Sequence, residues 1–180
     1  MALRDMFELK GRAALVTGGA RGIGKACADA LAEMGADVAL LDIHEENLAK
    51  AAEEVSHFGV RVKPILCDVT QADQVVKAFQ KTAEEFDRLD VLVNSAGITT
   101  WAKCEEMTEE EWDSVIDLDL KGTFLCCQAA GKMMIPQKSG SIINIASMSG
   151  TIVNIPQCQV SYNAAKAGVM HLTKSLAVEW

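Results

Sequence analysis

Short apolar runs that alternate with longer stretches of helical spacing leave this chain few ways to fold. The runs are Ala13–Val16, Val38–Leu41, Val60–Leu66, Val91–Val93 and Ser141–Ile145. Each is nearly continuous in apolar residues, as expected of strands covered on both faces of a parallel sheet. After the first, Ile23, Ala26, Cys27, Ala30, Leu31 and Met34 recur at helical spacing. Leu48, Ala51, Ala52 and Val55 do so after the second, and Val75, Val76, Phe79, Ala83 and Phe86 after the third. Trp112, Val115, Ile116 and Leu120 open a long fourth helix. This alternation predicts right-handed βαβ units and an α/β fold with a doubly wound parallel sheet. The 180 residues suffice for one domain with a substantial core, and no repeat or linker divides them.

Charge and cysteine usage narrow the class. A net charge of −8 without any basic run argues against a nucleic-acid partner, which needs clustered Lys and Arg. No apolar stretch approaches the roughly 20 residues that span a bilayer. The N-terminus is acidic and lacks an apolar core, so a secretory signal is not expected. Six cysteines (27, 67, 104, 126, 127, 158) lie scattered without Cys-x-x-Cys spacing, as in reduced thiols of a cytoplasmic protein. His44, His57 and His171 are far apart, and no metal site is expected.

The first run leads into Thr17-Gly-Gly-Ala-Arg-Gly-Ile-Gly24, and a helical pattern follows at once. Glycines let the backbone turn tightly and approach a pyrophosphate. The helix N-terminus adds free N–H groups and partial positive charge. Asp42 ends the second run about 20 residues beyond the glycines, placed to accept hydrogen bonds from an adenosine ribose or to cap the next helix. Asp68 and Asn94 close the third and fourth runs at the sheet edge where open α/β folds bind ligands, although Asp68 could also cap the helix near Gln71. Near the C-terminus, Tyr162, the single tyrosine, stands four residues before Lys166. On a helix the two share a face. A cation beside a phenol stabilises phenolate, and a tyrosine so tuned can carry a proton to or from a hydroxyl or carbonyl oxygen.

With these residues in hand, the chain resembles the short-chain dehydrogenase/reductase family, a Rossmann-fold family, from Leu9 to Trp180. Thr17-Gly18-xxx-Gly22-x-Gly24 matches its cofactor loop, Asp68-Val69 its adenine-contacting pair, and Asn94-Ser-Ala-Gly97 its Asn-Asn-Ala-Gly motif. Tyr162-xxx-Lys166 matches its catalytic pair. The resemblance implies an NAD(P)-dependent oxidoreductase interconverting a secondary alcohol and a ketone. Tyr162 would be the acid/base, and Lys166 would hold the nicotinamide ribose and lower the tyrosine pKa. Ser147 or Ser149 would orient the substrate oxygen; alignment selects Ser147, while Ser149 would give the commoner spacing to Tyr162. Asp119 stands where the family usually has an asparagine that holds a proton-relay water through a local helix distortion. It would keep that backbone role while adding a charge.

The cofactor set implied is Gly18, Arg21, Gly22, Ile23, Gly24, Asp42, Ile43, Asp68, Val69, Asn94, Ala96 and Gly97, with Tyr162 and Lys166. Asp42 resembles NAD users and Arg21 a position assisting NADP in others; the carboxylate favours NAD. The loop Thr151–Gln159 resembles members acting on sugar alcohols and ketoses. Helices around Phe124–Met134 and Ala164–Leu176 resemble those that pair into homodimers or homotetramers. Family members continue with two more strands, a helix and a substrate-covering loop, whereas this chain ends at Ser175–Trp180. The expectation is therefore a C-terminally truncated fragment with weak or no turnover. The alternative is an inactive nucleotide-binding protein or assembly subunit.

Overall fold

A computed structural model describes residues 6–180. Side chains along a strand point alternately to opposite faces, and in the strand Ala13–Thr17 (β1) both faces are covered. Leu15 joins one apolar layer and Val16 the other. Asp37–Asp42 (β2) repeats the split, with Ala39 and Leu41 on the first side and Val38 and Leu40 on the second. The helices Gly22–Glu33 (α1) and Glu45–Ser56 (α2) cover the second layer, using Ala28, Ala32, Leu48 and Val55. Ala72–Phe86 (α3) covers the first with Val75, Phe79 and Phe86, which recur at helical spacing on one face.

Val62–Leu66 (β3), Val91–Asn94 (β4) and Ser141–Asn144 (β5) complete a five-stranded sheet, ordered β3-β2-β1-β4-β5. All four pairings are parallel, with Leu15 opposite Ala39 and Leu92. The order reverses at β1, between β2 and β4, so their C-terminal ends open a crevice. The doubly wound α/β expectation therefore holds. Coverage on both faces does not hold at the edges: β3 leaves Pro64 and Leu66 exposed, and β5 leaves Ser141 and Ile143 exposed. Proline in β3 suits an edge strand, which does not need every N–H.

The fourth helical stretch differs most from expectation. It starts earlier, at Glu109–Val115 (α4), because Thr108 and Glu111 form a reciprocal capping box. It then widens into a π-helical turn over Ile116–Gly122 before Thr123–Gln137 (α5). Val160–Glu179 (α6) packs against this turn, where Gly168 gives room to Leu120: a Cβ there would fall 2.9 Å from that side chain. No helix among the described residues is long and apolar enough to cross a membrane.

Candidate active site

A cleft of about 930 Å³ opens along the C-terminal ends of β1, β2, β4 and β5. The glycine loop forms one wall. Gly18 adopts a φ of +62°, and a Cβ there would lie 2.9 Å from the backbone of Ala96. Thr17 Oγ1 ties the two loops together, accepting from Ser95 N at 3.1 Å and Ala96 N at 3.2 Å. Gly24 packs α1 onto the loop so closely that a Cβ would sit 2.8 Å from Gly18 C. Gly22, with a φ of +58°, would point a Cβ into open space. Among the described residues no side chain caps α1, and its first turn carries no carboxylate. That leaves an N-terminus whose free N–H groups suit an anion such as a pyrophosphate.

Asp42 lines the cleft at the end of β2 and is held from both sides. Its Oδ2 accepts from Ala20 N at 3.2 Å and its Oδ1 from His44 N at 3.1 Å. Asp68 also lines it; its Oδ1 accepts from Thr70 N at 2.9 Å and Thr70 Oγ1 at 2.8 Å, so the carboxylate braces a turn and does not cap α3. Arg21, Ile23, Ile43, Val69, Ala96 and Gly97 line the same space, with Ile23 and Ile43 more than half exposed. Apolar side chains open to the cleft in this way suit the flat face of a base. Cys67 is buried beside them, and burial with the neighbouring Asp68 charge pushes its thiol up to about 11.

Asn94 and Gly24 do not line the cleft. The Asn94 side chain turns into the interior, donating to Asn144 Oδ1 at 2.9 Å and to Cys127 Sγ at 3.4 Å. Asn144 in turn donates to Thr173 Oγ1 at 2.9 Å, so this chain of amides ties β4 to β5 and α6. The Asn94 side chain is therefore buried polar framework, and a contact from this residue to a cofactor would have to come from its backbone.

At the other end, α6 brings Tyr162 and Lys166 to the cleft, with Lys166 Nζ 5.4 Å from the tyrosine ring centroid. Nζ also donates to Ile145 O at 3.0 Å, which anchors α6 to the end of β5. Ser147 stands at the cleft wall, its Oγ accepting from Ser149 N at 3.1 Å. Ser149 points away and is buried, its Oγ accepting from Asn154 Nδ2 at 2.9 Å and Gln159 Nε2 at 3.2 Å. Of the two serines, only Ser147 lines the cleft that Tyr162 also lines.

Asp119 sits in the π turn, fully buried, with its backbone carbonyl accepting from Thr123 Oγ1 at 2.7 Å. Its Oδ1 accepts from Ile98 N at 2.8 Å, and its Oδ2 lies 3.1 Å from Lys166 Nζ. The latter contact is an ion pair whose angles fall outside hydrogen-bond geometry. Burial raises the Asp119 pKa; the Lys166 charge and the Ile98 N–H work against that rise. Sequence reasoning missed Ser114, Asp117 and His44, which also line the cleft. Ser114 and Asp117 precede Asp119 on the same helical stretch, but only the widened turn brings all three to one wall. Among the described residues no cluster of His, Cys, Asp and Glu is placed to hold a metal ion.

The short chain dehydrogenase family profile matches residues 12–180. A Yarrowia lipolytica protein named probable NADP-dependent mannitol dehydrogenase is 45% identical, over 99% of this chain and 65% of its own length. Sorbose reductase of Candida albicans is 43% identical, over 98% of this chain and 63% of its own. The chain thus spans less than two thirds of the length of either relative. Among solved structures, a short-chain type dehydrogenase/reductase from Mycobacterium marinum superposes with a TM-score of 0.96 at 43% identity, covering 99% of this chain and 73% of that one.

Proposed function

The chain belongs to the short chain dehydrogenase family, and on that premise we propose that it interconverts a secondary alcohol and a ketone with NAD(P), the substrate being a sugar alcohol or ketose. The observation that carries the reading is the convergence of Ser147, Tyr162 and Lys166 on the same cleft as the glycine loop. The polyol and ketose class rests on what the Yarrowia and Candida relatives are named for.

Gly18, Gly22 and the open first turn of α1 would take the pyrophosphate, Asp42 the ribose hydroxyls, and Asp68 with Val69 the adenine. Lys166 would hold the nicotinamide ribose. When bound, the nicotinamide supplies a hydride acceptor in oxidation and a hydride donor in reduction. Tyr162 moves the proton at its phenol oxygen, taking it from the alcohol in one direction and returning it to the carbonyl oxygen in the other. Ser147 Oγ hydrogen-bonds that same oxygen and fixes its approach.

For the finer choice of cofactor, Asp42 supports NAD, since a carboxylate at the ribose repels a 2′-phosphate. Arg21 in the same cleft and the NADP-dependent name of the Yarrowia relative pull the other way. We also take the protein to be a cytoplasmic homo-oligomer, from its unpaired cysteines and its apolar α5 and α6. Light scattering tests the assembly. A panel of polyols assayed with each cofactor tests the activity. The expected result is reduction of cofactor with at least one polyol; cofactor binding without turnover on any alcohol would favour a non-catalytic nucleotide-binding protein.

A further inference from the structure

A carboxylate built against the amine of a tyrosine-lysine pair changes the charge that the tyrosine feels. Asp119 is such a group. Its Oδ2 lies 3.1 Å from Lys166 Nζ with both side chains buried, and Lys166 Nζ is 5.4 Å from the Tyr162 ring. The placement is constrained from every side. Ile98 N holds Oδ1, Thr123 Oγ1 holds the backbone carbonyl, and Gly97 leaves the space: a Cβ there would fall 3.0 Å from Oδ2.

An ammonium alone beside a phenol favours the phenolate, because the two opposite charges attract. An ammonium already paired with a carboxylate presents little net charge, and the pull on the phenol weakens. Screening by water is small here, since the pair is buried. The other charged groups at this wall do not replace Asp119. Asp117, on the same π turn, is paired with Lys121 Nζ at 3.2 Å. Ser114 of α4 and Ser147 after β5 are uncharged, and Ile145 offers only its carbonyl. Elsewhere on α6, His171 and Lys174 lie beyond Lys166; Arg21, Asp42, His44 and Asp68 line the far, glycine-loop end of the cleft.

We propose that Asp119 is a positioning residue that pairs with the Lys166 ammonium and so weakens its pull on the Tyr162 phenol. It deepens the dehydrogenase reading by giving the site a preferred direction. Weakening that pull favours the protonated tyrosine, the form that ketone reduction requires. Alcohol oxidation then calls for more alkaline conditions.

The chain has a single tyrosine, so phenolate absorbance in the ultraviolet reads Tyr162 alone. We compare its titration in the wild-type chain with Asp119→Asn, Asp119→Ser and Asp119→Glu. Removing the carboxylate from Lys166 Nζ, at the effective dielectric of a protein interior, corresponds to a change of roughly tenfold in the ionisation constant. The expected result is about tenfold stronger acidity of Tyr162 in the Asn and Ser variants, with Glu close to wild type. An unchanged titration in both neutral variants, or the same shift in Glu, overturns the proposal. Loss of the fold in both neutral variants does so as well, since it would make the carboxylate a support of the π turn and nothing more. No cofactor, substrate or turnover enters the measurement, so its failure leaves the dehydrogenase reading standing, and an inactive chain leaves this test intact.

Discussion

Gly24→Ala separates two opposing effects at the loop that positions α1. Gly24 lies inside that helix, where alanine ordinarily stabilises by about 1 kcal/mol relative to glycine. Here the new methyl would lie 2.8 Å from Gly18 C and closer still to Gly18 O, with Thr17 O at 3.2 Å. Those are backbone atoms and cannot rotate aside. Nor can α1 lift easily, because Ala28 and Ala32 are buried against the sheet. Overpacking of this kind costs about 3 kcal/mol at the upper end of its usual range. Setting that against the helical gain leaves a net loss of about 2 kcal/mol. With a urea slope of about 2 kcal/mol/M, the midpoint falls by about 1 M. Tryptophan fluorescence in urea measures it. Gly22→Ala is the companion: its methyl meets open space, so only the left-handed backbone strain of about 1 kcal/mol remains, and the midpoint falls about half as far. A Gly24→Ala midpoint at or above wild type, with an unchanged slope, would refute the close-packing argument.

Asp90 accepts from Arg88 Nε, Arg12 Nη1 and Ala13 N. Burial works to raise its pKa, but these bonds together outweigh it and hold the carboxyl below its usual range. A lowered folded value stabilises above the ordinary carboxylate pKa of about 3.9, and the stability is lost as pH falls through the folded value. Asp90→Asn is therefore expected to cost stability at neutral pH and to flatten the acid limb, read by urea midpoints across pH. Phe79→Ala empties a buried site between α3, the sheet and α5, and is expected to cost about 3–4 kcal/mol by the same unfolding assay. Asp42→Ala removes the carboxylate from the ribose end of the cleft. Calorimetric titration is expected to show NAD weakened and NADP strengthened relative to wild type; an unchanged ratio would remove Asp42 from cofactor choice.

The centre of the sheet was legible because β1, β2 and β4 are buried on both faces, and full burial writes itself as continuous apolar runs. The edges read less clearly: β3 carries Lys63 and Pro64, and Val60 and Arg61 fall outside the strand. The start of α4 was written in Thr108 and Glu111, a capping signal that apolar spacing alone passes over. The π turn left no mark in Ile116–Gly122 by periodicity; only the resemblance anticipated a distortion there. In the site, Gly18, Gly22, Asp42, Tyr162 and Lys166 could be singled out because each stands in a local spacing, and the fold brings them to one cleft. The contact between Asp119 and Lys166 joins residues far apart in sequence, and no local pattern encodes it. Likewise the inward turn of Asn94 depends on Asn144 and Cys127, partners that only the sheet brings near.

The central claim is that this cleft holds a nicotinamide dinucleotide while Tyr162 handles the proton. The most direct test is one paired measurement on wild type and Tyr162→Phe: calorimetric binding of the cofactor, and ultraviolet detection of its reduction by a polyol. The account predicts cofactor binding retained in both proteins, with polyol-dependent reduction seen in wild type and lost in the Phe variant. Turnover that survives in Tyr162→Phe, or a wild-type chain that binds neither NAD nor NADP, would contradict it.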